Sequence, residues 1–117
     1  MGKDTMHVLE VELMQTNELL EQRGKTHGPY HIHAWYTQKI KEIMHAPAGG
    51  MRGWEKTNNS QKEALHMIAH KIGRILAGDP NHQDHWDDIA GYAKLVSNEI
   101  AEQEAKKPIV IGKVVAA

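Results

Sequence analysis

The sequence contains no cysteine and no phenylalanine among its 117 residues. The absence of cysteine excludes a disulfide framework, a thiolate zinc site and a cysteine nucleophile. Because phenylalanine is absent, three tryptophans and three tyrosines supply all the aromatic packing. Arginine is scarce, with three in the chain, and no basic stripe alternates with aromatic residues. We therefore expect no nucleic-acid partner.

Long apolar runs are also missing. No stretch approaches the 18 residues of a membrane-spanning helix, and the N-terminal segment lacks the apolar core of a signal peptide. We therefore expect no membrane partner and a cytoplasmic location. The formal net charge of −1 gives no field that would favour nucleic acid or a membrane surface. The length, without repeats or linkers, indicates a single domain over residues 1–117.

Apolar residues at helical spacing predict an all-α, four-helix domain. A first helix is expected over residues 9–22, with Gly24 at its end, and the alternating pattern at its start is also compatible with a strand. Residues 23–30 contain two glycines and a proline and are predicted to form a loop. The second helix is predicted over residues 30–45.

The third and fourth helices are predicted to form an antiparallel hairpin, over about residues 61–77 and 80–106. Ser60 and Glu63 have the spacing of a capping box at the start of the third helix. Gly78 stands where that helix should end, and the pair Asp79-Pro80 is typical of a helix N-terminus.

The C-terminal tail, residues 108–117, has an apolar sequence that a monomeric four-helix core does not explain. We expect it to form a short β segment that pairs with residues 7–13 or with another subunit. Four-helix domains of this size commonly self-associate to cover apolar surface, and we therefore expect a homo-oligomer.

The predicted hairpin carries charged residues of both signs. Lys71 and Arg74 lie on one helix, and Asp84 and Asp88 are four residues apart on the next. Ion pairs between them would hold the hairpin together. Alternatively, the carboxylates could bind Mg²⁺ or Mn²⁺, with substrate phosphates completing the coordination.

Nine histidines are unusual in so short a chain. His66, His70 and His85 could form a zinc-type site, although His66 and His70 lack the intervening glutamate of zinc proteases. Hydrogen-bonded or solvated histidines are the simpler interpretation.

The predicted loop over residues 23–30 offers a second site. Arg23, Lys25, Thr26 and His27 are flanked by glycines, and such donors together with backbone amides suit a phosphate. The spacing is not that of a Walker loop. A helix end with a few solvated charges would have the same sequence.

Two segments together resemble a signature of short phage and prophage proteins that form a domain of unknown function. The first is EQRGKTHGPY, residues 21–30, and the second is KIGRILAGDPNHQDHWDDIAGYAKL, residues 71–95. The resemblance covers a core of about residues 20–96. It implies a phage-derived protein and carries no mechanism of its own.

The hairpin is also similar to the MazG-like and dUTPase-like all-α nucleoside triphosphate pyrophosphohydrolases. That family binds Mg²⁺ with two acidic pairs on successive helices. Asp84 with Asp88 or Asp87 would be the second pair, whereas Lys71 and Arg74 stand where the first pair is expected. Cations there would attract a phosphate or neutralise the aspartates, so this resemblance favours nucleotide binding over hydrolysis.

The leading hypothesis is a phage-derived protein that binds a nucleotide or another phosphorylated small molecule in the host cytoplasm. The residues expected to bind the ligand are Arg23, Lys25, Thr26, His27, Lys71, Arg74 and Tyr92. Asp84 and Asp88 would orient them or hold Mg²⁺. One alternative is an inhibitor of a host defence system, which binds a defence protein or sequesters its signal. The other is a divergent Mg²⁺-dependent nucleotide pyrophosphohydrolase. The sequence leaves open whether the protein is an enzyme.

Overall fold

The computed structural model describes the backbone of residues 3–111 and 114–116 and the side chains of residues 5–109. Within these residues the secondary structure consists of four α-helices, one 3₁₀ turn and two short strands. The helices are α1 Lys3–His27, α2 Tyr30–His45, α3 Asn59–Ala77 and α4 Gln83–Ala105. The 3₁₀ turn is Gly53–Lys56, and the strands are β1 Ile109–Ile111 and β2 Val114–Ala116. The predicted all-α class with four helices is confirmed.

Helices α2, α3 and α4 form one layer, with α3 in the middle. α3 packs against α2 on one side and α4 on the other, whereas α2 and α4 do not pack against each other. The predicted α3–α4 hairpin is antiparallel. Ser60 Oγ donates to Glu99 Oε1 at 3.2 Å. Lys71, eleven residues after Ser60, pairs with Asp88, eleven residues before Glu99. Because three helices in a row do not close a bundle, both faces of the layer stay open.

The α2–α3 contact depends on a glycine at the crossing. A Cβ atom on Gly73 would lie 2.3 Å from Thr37 Oγ1 and 2.8 Å from His33 Cδ2. The absence of a side chain therefore lets the two helices approach closely. His33 and Thr37 are buried at this crossing.

Helix α1 projects from the layer and touches it only near its C-terminal end. The side chains of residues 5–25 are exposed, and the molecule is 83 Å long but only 36 Å and 30 Å across. The predicted end at Gly24 and the predicted loop over residues 23–30 are wrong. A glycine inside a helix is only about 1 kcal/mol less favourable than an alanine, so the helix continues through Gly24. The Gly24 carbonyl accepts the amide of Gly28 at 2.9 Å.

Gly28 ends α1 because it has the left-handed backbone conformation, with φ of 78°. It packs so closely on the last turn of α3 that a Cβ atom would lie 2.1 Å from the carbonyl oxygen of Ala77. Pro29 follows, and α2 begins at Tyr30, as predicted. The strand alternative for the start of α1 is also wrong, since the helix covers it.

Two predicted helix starts are shifted. The capping box of α3 is formed by Asn58 and Gln61, two residues before the predicted Ser60 and Glu63. Asp79 does not cap α4: its Oδ1 accepts the amide of Asn81 at 2.9 Å in a turn, and α4 begins at Gln83. Asparagine and aspartate favour both caps and turns, and the sequence pattern does not separate the two.

The C-terminal tail forms its own hairpin. β1 pairs antiparallel with β2, in the register Ile109 with Ala116 and Ile111 with Val114. The expected pairing with residues 7–13 is wrong, because those residues belong to α1. In the part of the chain that the structure describes, no helix combines the length and apolar character needed to cross a bilayer.

Candidate functional site

The two sequence motifs meet at one backbone carbonyl. Thr26 O, near the end of α1, accepts the amide of Asp79 at 3.1 Å and the Nε2–H of His85 at 3.0 Å. Carbonyls in the last turn of a helix have no partner within the helix. His85 is 2% exposed, and its hydrogen bond to Thr26 connects the start of α4 to the end of α1. This junction fixes the positions of the side chains on the last turn of α1.

A cavity of about 340 Å³ lies beside this junction, between α1, α2 and α3. Its described lining includes two arginines, three histidines and one tyrosine, and no acidic residue. The lining residues are Leu20, Arg23, Gly24, His27, Gly28, Tyr30, His33, His70 and Arg74. Arg23, His27 and Arg74, predicted from two separate motifs, are thus brought together.

Arg74 is the strongest electrostatic feature of the cavity. Its side chain is half-buried, and its Nε atom is buried without a hydrogen-bond partner in the described structure. Arg74 also makes no ion pair among the described side chains. Burial lowers its pKa, the nearby Asp88 carboxylate raises it, and Arg23 lowers it. A guanidinium nevertheless stays protonated in proteins, so the cavity contains a positive charge that lacks a direct counterion.

The three histidines of the cavity are held in the neutral form. Burial, followed by the Arg74 charge, lowers the pKa of His27 and of His70 to about 4. The same two causes lower the pKa of His33. The His33 and His70 rings meet edge to face, with centroids 4.5 Å apart. At neutral pH the charge of the cavity therefore comes from the arginines.

Lys71 lies outside this cavity, in an ion pair. Its Nζ is 2.8 Å from Asp88 Oδ2, and the lysine side chain is only 11% exposed. The hydrogen bond from Lys71 lowers the pKa of Asp88. The two predicted ligand residues therefore neutralise each other across the α3–α4 hairpin.

The other predicted residues lie apart. Asp84 is exposed, with Oδ2 3.7 Å from His82 Nε2, and Lys25 is exposed beside Glu21 at 3.9 Å. The Thr26 hydroxyl donates to the carbonyl of Arg23 within α1. Tyr92 lines a separate depression with Asp87 and Asp88.

Because residues 23–27 are helical, the predicted glycine-flanked loop does not exist, and most of its backbone amides are used within α1. Of the four donors predicted in that loop, Arg23, Lys25, Thr26 and His27, only Arg23 and His27 line the cavity.

The three histidines considered for zinc belong to three different clusters. The His66 ring stacks on His45 and Trp54, the His70 ring contacts His33, and His85 contacts His27. Across the described residues, no group of three or more His, Asp or Glu side chains is arranged to hold a metal ion.

Sequence reasoning missed Tyr30, His33 and His70 as cavity residues. Tyr30 and His33 lie in the first turn of α2, directly after the Gly28-Pro29 connection. A two-residue connection brings the first turn of one helix close to the last turn of the preceding one. That signal required Gly28, rather than Gly24, to be recognised as the end of α1.

The chain was compared with family models, with curated proteins and with solved structures, and none of the three comparisons found a match.

Proposed function

We propose that the protein binds a nucleotide or another phosphorylated small molecule in the cavity between α1, α2 and α3. The observation that carries this proposal is Arg74: a half-buried guanidinium that makes no ion pair among the described side chains and faces a cavity whose described lining contains no acidic residue. Leaving a buried charged donor unpaired costs free energy. A bound anion would remove that cost.

The chemistry of the lining suits a phosphate. Two guanidiniums offer planar, multidentate donors, which suit phosphate oxygens. Neutral histidines add donors or acceptors according to their tautomer. Tyr30, which is 80% exposed at the rim, offers an aromatic face for a nucleobase. The volume lies in the range of small-molecule sites.

Isothermal titration calorimetry tests the proposal. The ligands are inorganic phosphate, pyrophosphate, nucleoside mono- and triphosphates and cyclic dinucleotides, each with and without Mg²⁺. We expect at least one of them to bind. Arg74→Gln should weaken its binding by about 10- to 100-fold, since charge-assisted hydrogen bonds contribute roughly 1.5–3 kcal/mol.

Arg52→Gln is the matched control, because Arg52 is exposed in the α2–α3 connection and does not line the cavity. Lys25→Gln serves as a second control, on the same helix as Arg23 but paired with Glu21. Neither should change the affinity by more than about twofold at constant ionic strength. If no ligand binds, or if Arg52→Gln weakens binding as much as Arg74→Gln, the proposal is wrong.

The resemblance to phage proteins leads us to propose that this binding occurs in the host cytoplasm during infection. Sequestering a nucleotide signal of a host defence system would use the same cavity. For a Mg²⁺-dependent pyrophosphohydrolase, by contrast, the carboxylates are poorly arranged. Asp88 is paired with Lys71, and Asp84 lies next to His82. The cavity therefore supports binding better than hydrolysis.

A further inference from the structure

The chain exposes far more surface than a folded monomer of its mass. Its accessible surface is 9,210 Å², whereas a compact monomer of 13.2 kDa exposes about 6,400 Å². The radius of gyration is 22.3 Å, compared with about 13 Å for a compact domain of this length. The excess of roughly 2,800 Å² per chain amounts to about 5,600 Å² for two chains, at the upper end of the total area that obligate homodimers bury.

Much of this surface is apolar and lies on α1. Met6, Leu9, Leu13 and Leu20 recur at spacings of three, four and seven residues, and each side chain is more than half exposed. Residues at these spacings form one stripe along a helix. Met6 to Leu20 covers about 21 Å of helix length. Covering such a stripe with another apolar surface is favourable, by roughly 25 cal/mol for each Å² of apolar surface removed from water.

The junction at the C-terminal end of α1 directs the straight helix away from its own layer. Gly28 is packed on Ala77, and the Thr26 carbonyl is held by Asp79 and His85. These contacts fix the direction in which the last turn of α1 leaves the layer. Turning the whole straight helix back would separate Gly28 from α3 and remove both hydrogen bonds.

The layer has an open, largely apolar groove on the surface of α3 and α4. A cavity of about 560 Å³ lies between α3 and α4, with Leu65, Ile68, Ala93 and Val96 among its lining residues. Lys56 is also one of its lining residues, and the stripe on α1 is flanked by Glu10 and Glu12. The groove and the stripe therefore match in apolar character, and the charges beside them are opposite.

We propose that the protein is a homodimer in which α1 of each protomer lies in the α3–α4 groove of the other. The α1 of the second copy supplies the fourth helix that the three-helix layer lacks, and the exchange is reciprocal. Two grooves and two stripes are covered at once, which accounts for the large excess of surface in a single chain.

Sedimentation equilibrium at micromolar concentration tests the association. The wild type should have twice the mass of the 13.2 kDa chain. Leu13→Glu, in the middle of the stripe, should shift the equilibrium to monomer by at least 100-fold in Kd. Gln15→Glu places the same charge on the opposite side of α1 and should leave the dimer intact. A monomeric wild type, or equal effects of the two substitutions, would overturn the proposal.

Cross-linking tests whether α1 lies in the groove without relying on a destabilised variant. Because the sequence contains no cysteine, only the introduced cysteines can react. A mixture of Leu13→Cys and Ala93→Cys chains, treated with a short bifunctional maleimide, should give a covalent heterodimer. Gln15→Cys in place of Leu13→Cys should give little product. Leu13→Cys chains that cross-link only to one another would show that α1 pairs with α1. A cross-link within single chains that carry both substitutions would show that α1 folds back. Either result would refute the assignment.

Discussion

Lys71 on α3 and Asp88 on α4 form an ion pair, with Nζ 2.8 Å from Oδ2. The lysine is buried, and the aspartate is about half exposed. Arg74, three residues after Lys71, has no such partner among the side chains of residues 5–109. The two cations of the predicted hairpin site therefore have different roles. Lys71 holds the hairpin together, while Arg74 is available to a ligand.

Asp88→Ala should destabilise the protein more than Lys71→Met. The first substitution leaves a buried ammonium without its partner, whereas the second leaves a carboxylate that water can solvate. We expect Asp88→Ala to lower the Tm by about 4 °C or more. The double variant should lose less than the sum of the two single losses. The exposed neighbour Asp87 gives the control: an effect of Asp87→Ala as large as that of Asp88→Ala would contradict the pairing.

Alanine substitution should lower the free energy of unfolding at Gly28 and raise it at Gly24. Gly28→Ala places a Cβ atom against the Ala77 carbonyl in a left-handed conformation, so we expect a loss of about 3 kcal/mol or more in the free energy of unfolding. Gly24 is helical with open space around it, and Gly24→Ala should add about 0.5–1 kcal/mol. Urea denaturation measures both. Stabilisation by Gly28→Ala would refute the described end of α1.

Gly73 and Gly91 form a second such pair. Gly73→Ala should push α2 away from α3, because its Cβ atom would overlap Thr37 and His33. Overpacking of this kind costs about 1–3 kcal/mol. Gly91 lies within α4 with nothing within 4 Å of an added Cβ atom, and Gly91→Ala should add about 0.5–1 kcal/mol. If Gly73→Ala unfolds at the same urea concentration as the wild type, the close α2–α3 crossing does not exist.

Acid should destabilise the protein at pH values well above those at which carboxylates usually become protonated. Burial and the Arg74 charge lower the pKa of His27 and His70 from 6.5 to about 4. The unfolded chain therefore binds more protons than the folded one over this interval. The resulting stability is fully present above pH 6.5 and falls as the pH decreases toward 4.

Urea denaturation between pH 4.5 and 7.5 should show an uptake of roughly two protons on unfolding near pH 5. His70→Asn should reduce this number by about one. The Asp88 carboxyl acts in a lower range. Because its hydrogen bond with Lys71 lowers its pKa, its contribution disappears only below about pH 3.8. A stability that is constant from pH 7 to 5 would contradict the buried neutral histidines.

The sequence predicted local structure better than it predicted the cavity. Apolar periodicity located α2, α3 and α4 closely, because each of these helices buries a stripe against a neighbour. It placed the end of α1 at Gly24, although Gly28 is equally compatible with a helix end. The contact of Gly28 with Ala77, 49 residues away in the chain, accompanies the actual end.

The same limit applies to the candidate site. Arg23, His27 and Arg74 were predicted as ligand residues from their chemistry, whereas His33 was not predicted and His70 was considered only for zinc, because both lie on helix faces with ordinary spacing. Their role depends on the α2–α3 crossing at Gly73, which is a tertiary feature. Lys71 and Arg74 looked equivalent in sequence, and only the position of Asp88 separates them.

The order of packing in the three-helix layer also has a kinetic consequence. Each helix of the layer contacts the helix that precedes or follows it in the chain. Contacts between sequence neighbours have a low loop-closure cost and favour fast folding. During synthesis, α2 and α3 can form their hairpin before α4 leaves the ribosome. The fast, local steps therefore come first, and any step that involves α1 of another chain must wait for a second finished molecule.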